Sequence, residues 1–141
     1  MFIAPSQTAE FARVAERHPQ LQLIVDHMGV VVDTVKQGHL REAIDQTVSL
    51  AKYPNVSVKL SGVANNSLEP YPFKDFAPHI RRVIEAYGPQ RCYWGSDMTV
   101  RFDKATYGQR IAHFTEELPF LSESDKDWVM GKAILQRLKW A

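Results

Sequence analysis

The chain has 141 residues, 45 % of them hydrophobic and 23 % charged, with a formal net charge of +1. These values suit a single globular domain with a real core, and they offer no strong field to draw nucleic acid or an anionic membrane. The one cysteine, Cys92, excludes an intramolecular disulfide framework; no apolar run reaches the ~18 residues of a membrane span, and the first residues lack the pattern of a signal peptide, so a cytoplasmic location is expected.

In chain order, "MFIAP" (1–5) reads as the tail of a strand. Ser6 is the expected N-cap of a helix running to about Arg17, with Phe11, Val14 and Ala15 on one side. His18-Pro19 ends it, because a residue before proline avoids the helical region. "LQLIVDH" (21–27) reads as a short aliphatic strand. Leu40, Ala43, Ile44, Thr47, Leu50 and Ala51 then recur at helical spacing between Gly38 and Lys52, and Pro54 closes that stretch.

"NVSVKLSG" (55–62) alternates strictly: Val56, Val58 and Leu60 face one way, Ser57, Lys59 and Ser61 the other. A polar loop, "VANNSLEPYP", follows. Phe76, Ile80, Val83, Ile84 and Tyr87 mark another amphipathic helix, stopped by Gly88-Pro89. "RCYWGSD" (91–97) is the last strand, and two helices, about 106–118 and 124–138, finish the chain with Ser122 and Ser124 as candidate N-caps. Trp94, Trp128 and Trp140 are assigned to core packing.

The strand ends repeat. His27, Ser61 and Asp97 lie 34 and 36 positions apart, and each interval holds one helix and one new strand. Such repeated βα units predict a parallel sheet with helices outside it, and a site at the carboxyl ends of the strands. At about 30 residues per unit, a chain of this length makes roughly half of a (β/α)8 barrel. The fold class expected is therefore α/β: three to four parallel βα units plus terminal helices, forming one partial domain over residues 1–141.

Those strand ends carry the candidate chemistry. His27 suits a metal ligand or general base, or a structural imidazole bonded to a neighbouring loop. Asp97, after "WGS", suits a metal-binding carboxylate and proton acceptor, or a cap for the following turn. Lys59 and Ser61 share the polar face of their strand; an inward lysine there binds a substrate carboxylate or pairs with an inward acid. Asn65, Asn66 and Arg101 sit on rim loops, as substrate contacts or as solvated residues. His18, His39, His79 and His113 receive no role. No glycine-rich phosphate loop, G-x-S-x-G elbow or paired CxxC occurs, which leaves a divalent metal or no cofactor.

"PQLQLIVDHMG", "NVSVKLSG" and "YGPQRCYWGSDMT", in that order, resemble the late strands of the amidohydrolase-2 group, and "LSESDKDWVMGKAILQRLKW" resembles its closing helices. That group comprises TIM-barrel, metal-dependent hydrolases, among them lactonases of the 2-pyrone-4,6-dicarboxylate type, with decarboxylase relatives on the same barrel. The resemblance spans nearly the whole chain. It implies that His27 matches the strand-six histidine at the metal or reacting group. It also implies that Asp97 matches the strand-eight aspartate, a metal ligand and general base. The group's strand-one H-x-H ligands have no counterpart here, and Met98-Thr99 stand where members commonly carry Trp-Pro.

The function so implied is water attack on a cyclic ester (lactone) or amide of a small carboxylated substrate. Asp97 and His27 are its catalytic and metal-binding residues, and Lys59, Ser61 and Arg101 contact substrate. The metal implied is zinc, weakly held or absent with only two ligands. Open strand edges and an uncovered inner face predict a homo-oligomer or a complementary N-terminal half as partner, and weak or no activity from the chain alone. The alternatives are a decarboxylase of the same barrel family and a non-catalytic α/β association module.

Overall fold

The three expected strands form, each shorter than its apolar run: β1 (Leu23–Val25), β2 (Val56–Leu60) and β3 (Cys92–Trp94). They make one parallel sheet in the order β1-β2-β3, with Val25 beside Val58 and Lys59 beside Tyr93. The computed structural model describes residues 1, 3, 5–99 and 101–140. Of the expected strand tail at 1–5, Phe2 and Ala4 lie outside the described residues. Met1 continues the sheet past β1: its amino group donates to the Ile24 carbonyl, and Asp26 N–H donates to the Met1 carbonyl at 2.9 Å, flanking Val25 in the parallel pattern.

The alternation in β2 has its expected physical result. Val56, Val58 and Leu60 are fully buried, with Leu23, Val25 and Cys92, in the core beneath the helices. Ser57, Lys59 and Tyr93 point the other way, and Tyr93 donates its hydroxyl hydrogen to Ser57 Oγ at 2.9 Å. This inner face is less open than a bare half barrel implies. Ser57 and Tyr93 are buried, and they line a cavity of about 580 Å³ together with residues of the terminal helix.

The helices are α1 (Thr8–Arg17), α2 (Val32–Lys36), α3 (Leu40–Ser49), α4 (Val63–Asn66), α5 (Ala77–Tyr87), α6 (Tyr107–Thr115), α7 (Glu123–Asp127) and α8 (Ala133–Leu138). A π turn, Trp128–Lys132, joins the last two. α3 and α5 are the amphipathic helices read from spacing; they bury Ala43, Ile44, Ile80, Val83 and Ile84. Gly88, at φ 75°, stops α5 as expected.

Several local expectations change. Ser6 does not cap α1: it lies inside a 3-10 turn, Pro5–Gln7, and Gln7 precedes the helix without a side-chain cap. Ser122 caps α7 in a reciprocal capping box with Asp125, whereas Ser124 lies inside the helix. The expected polar loop after β2 is in part the short helix α4, and its Asn65, Asn66 and Ser67 are buried. Trp140 is 67 % exposed and Trp128 only half-buried, so of the three tryptophans Trp94 alone packs against the core.

His113, 1 % exposed, is a core residue wedged edge-on between Phe73 and Phe114. Burial pushes its pKa below the ordinary 6.5, and the Pro72 carbonyl, Glu117 and Asp75 pull it only partly back. The unfolded chain therefore binds this proton near pH 6.5, while the folded chain binds it only at lower pH. Stability is expected to fall as pH drops from about 6.5 through the lowered folded value. Urea unfolding at pH 7.5 and 5.5 checks this. His113→Phe should lose less stability over that interval than the parent chain, the remainder coming from His79, which burial also lowers.

Candidate active site

The segment after β1 does not turn as an ordinary strand end. His27, Met28 and Gly29 adopt left-handed backbone in succession, at φ 50°, 55° and 70°. A non-glycine residue in that region costs about 1–2 kcal/mol, and a histidine and a methionine both bear it here. After β3, Asp97 is left-handed as well, at φ 47°. Strained backbone therefore recurs at the two residues singled out for chemistry.

They meet. His27 Nδ1 lies 3.8 Å from Asp97 Oδ2, with both side chains largely buried. Ser61, at the end of β2, stands between the strand ends: its Oγ is 2.8 Å from His27 Nδ1 and 3.4 Å from Asp26 Oδ1. Two glycines make room. A Cβ at Gly62 would lie 3.0 Å from His27 Nδ1, and one at Gly95 would lie 3.1 Å from Lys59 Cε and 3.2 Å from Ser61 Cβ. The backbone thus passes where side chains would displace the imidazole or the lysine stem.

Of Lys59's two expected partners, the structure shows the inward acid: its Nζ is 3.0 Å from Asp26 Oδ1. Burial opposes ionisation of Asp26, but the Lys59 hydrogen bond and the charges of His27 and Lys59 outweigh it and hold the carboxyl below the ordinary carboxylate range. Arg101 is not brought into this cluster. Its guanidinium turns to Asp103 in a two-pronged pair at 3.1 Å, on the exposed rim.

Two further residues belong to the site. Asn65 donates from Nδ2 to Asp97 Oδ2 at 2.6 Å and to the Asp97 carbonyl at 2.8 Å. Arg110, 5 % exposed on α6, donates to Asn65 Oδ1 at 3.2 Å and to the carbonyl of Ser96 at 2.8 Å. Burial lowers the pKa of Arg110, and the charges of Asp97 and Asp103 oppose that shift. The signal for Arg110 was present in the sequence: with His113 and Phe114 it occupies one buried helical face, where an arginine needs partners.

A tetrahedral zinc holds an imidazole nitrogen and a carboxylate oxygen about 3.4 Å apart, near the span of His27 Nδ1 and Asp97 Oδ2. Both donor types suit a divalent ion. Catalytic zinc sites use three protein ligands, however, and among the described residues no group of three or more His, Cys, Asp or Glu could hold a metal. The two residues fit as part of a ligand set.

A family model described as amidohydrolase matches residues 1–135. An L-fucono-1,5-lactonase of Burkholderia ambifaria is 29 % identical over 99 residues, 70 % of this chain and 33 % of that protein. An uncharacterized protein of Sinorhizobium fredii, y4mH, is 29 % identical over 94 residues, 67 % of this chain and 31 % of that one. Two crystal structures of an amidohydrolase from Burkholderia multivorans, one with bound Zn and one with bound HEPES, match with a TM-score of 0.82. At 22 % identity they cover 96 % of this chain and 50 % of theirs. The chain thus spans about a third of those curated relatives and half of the solved chain. Its fold is a partial (β/α)8 barrel. No helix among the described residues is long and apolar enough to cross a membrane.

Proposed function

The chain belongs to the amidohydrolase family, and on that premise we propose that it carries the late-strand half of a metal-dependent hydrolase site, one that opens a lactone or cyclic amide with water. The observation that carries this reading is the convergence of His27 and Asp97, both on left-handed backbone, to 3.8 Å. A divalent metal held by these two and by ligands from outside the described residues would polarise the carbonyl and acidify water.

The chain's own residues do the rest. Asp97 accepts a proton from the attacking water and returns it to the ring heteroatom as its bond to the carbonyl carbon breaks, so a lactone yields a hydroxy acid. Ser61 Oγ holds His27 Nδ1 at 2.8 Å in this arrangement, and would turn to Asp26 Oδ1, 3.4 Å away, where that nitrogen takes the metal. Lys59, 41 % exposed at the mouth, exchanges Asp26 for a substrate carboxylate. Arg101, turned to Asp103, has no part in this assignment. The lactonase relative supports a lactone as the substrate class. The partner is a segment supplying the remaining strands and an H-x-H ligand pair.

The test is a lactone panel assayed with the purified chain, alone and with a complementary N-terminal half barrel. Turnover is expected to be weak or undetectable alone, and to rise together with Zn²⁺ affinity on complementation. Full turnover by the isolated chain would overturn the division of the site. Release of CO2 in place of a ring-opened acid would replace hydrolysis with decarboxylation.

A further inference from the structure

Asp97 is the working carboxylate of the proposed site, yet its backbone sits in a region that non-glycine residues avoid. Something must hold it there. Asn65 grips both its carbonyl and its Oδ2 with one amide nitrogen, at 2.8 and 2.6 Å. That grip has a weakness. A primary amide turned by half a revolution presents oxygen where nitrogen stood, and Oδ1 facing a carboxylate repels it. Nothing in Asn65 itself selects the productive orientation.

Arg110 selects it. Its guanidinium carries donors only, so the atom of Asn65 that it meets at 3.2 Å must be Oδ1, and Nδ2 is thereby aimed at Asp97. The same side chain gathers the rim around the aspartate. It donates to the carbonyls of Ser96 at 2.8 Å, Arg101 at 2.6 Å and Ala105 at 3.4 Å. The Ser96 carbonyl belongs to the peptide that leads into Asp97. Arg110 stands on the first turn of α6, whose start is fixed by a reciprocal capping box between Thr106 and Gln109. We infer that Arg110 is a positioning residue: it locks the amide orientation of Asn65 and the rim carbonyls, and so sets the left-handed pose of Asp97. The inference builds on the reading of Asp97 given above, and it is testable without turnover.

The probe is the ¹H–¹⁵N spectrum of the chain, with Zn²⁺ titration as a second readout. In the parent chain the Asn65 side-chain amide should give two separated, slowly exchanging signals, one moved downfield by the bond to Asp97. Arg110→Lys keeps the charge and loses the fork. Arg110→Met loses both. Each is expected to collapse the Asn65 pair toward the solvent-averaged position and to move the Asp97 backbone amide, while the amides of Val58, Leu60 and Cys92 stay in place. Zn²⁺ affinity in the complemented barrel should drop about 10- to 100-fold, as for other lost supports of a metal ligand.

Asn65→Leu leaves the carbonyl bonds of Arg110 intact, so it serves if Arg110→Met fails to fold. It should shift the Asp97 amide in the same direction as Arg110→Lys but by less, because the Ser96 carbonyl stays held. Unchanged Asn65 and Asp97 signals in a folded Arg110 variant would overturn the inference, as would an Asp97 amide that does not move in Asn65→Leu. If the signals respond as expected but no lactone is turned over by the complemented parent, the positioning role stands and the hydrolase reading falls.

Discussion

Replacing Asp97 with asparagine is expected to lower lactone turnover by the complemented barrel about 10³-fold while leaving the fold in place. Asparagine matches aspartate in shape and is among the few non-glycine residues at ease in left-handed backbone, so the φ of 47° survives the change. Its amide oxygen still accepts the hydrogen bond that Asn65 now gives to Oδ2. What disappears is the negative charge and the capacity to take a proton from water. The variant therefore separates chemistry from scaffolding in a way that alanine at the same position does not. Steady-state kinetics beside a urea titration check it. A turnover number within tenfold of the parent would remove Asp97 from the role of base.

The second large effect lies at the opposite end of the strands. Arg91, immediately before β3, donates from Nε to the Tyr87 carbonyl at 2.9 Å. From Nη1 it donates to the carbonyls of Ala51, Tyr53 and Val56 at 3.1, 3.0 and 3.2 Å. Its guanidinium also rests 5.0 Å from the centre of the Tyr87 ring. One side chain thus ties the end of α5 and the turn before β2 to the start of β3. Arg91→Met keeps the aliphatic stem and strands these half-buried acceptors, for an expected loss of about 2–3 kcal/mol of stability. The measurement is the urea midpoint, read beside Zn²⁺ affinity in the complemented barrel. Zn²⁺ affinity should not move, because the strand bottoms govern stability and the strand tops govern chemistry in this class of fold. A parallel drop in both would show that the two ends are not independent.

The periodic part of the molecule was open to reading from residues alone. Alternation at 56–60 and helical spacing at 40–51 and 76–87 follow from which faces must be buried, and the strand-end residues His27, Ser61 and Asp97 follow from the repeat. The supports of the site were harder to read because they are tertiary and aperiodic. "ANNS" has the composition of a wet loop; Asn65 and Asn66 are buried because their amides find Asp97, Arg110 and Val30, each more than thirty positions away. Arg110 shares a helical face with His113 and Phe114, which marks it as buried, but the carbonyls it collects at Ser96 and Arg101 lie on a loop outside its helix. The left-handed run at His27 and Met28 gives little local sign: histidine is only modestly favoured there, methionine is not, and the glycine after them is the one strong cue. Ser6 failed as a cap although it had the chemistry for it, because a tighter turn decided the geometry; Arg101 keeps the rim-loop place read for it, paired with Asp103.

The π turn between α7 and α8 bears on any residue-by-residue comparison with longer amidohydrolases. Ala133 N–H reaches back five positions to the Trp128 carbonyl, so the closing helix holds one residue more than a regular helix making the same turn. One residue is about 100° of rotation. Val129, inside the turn, and Ala133, just beyond it, are both buried. An alignment that runs ungapped through this stretch to a relative without the widened turn will put every residue after it on the wrong side of the helix. The gap belongs within Trp128–Lys132, and α8 should be matched by its buried face before its letters.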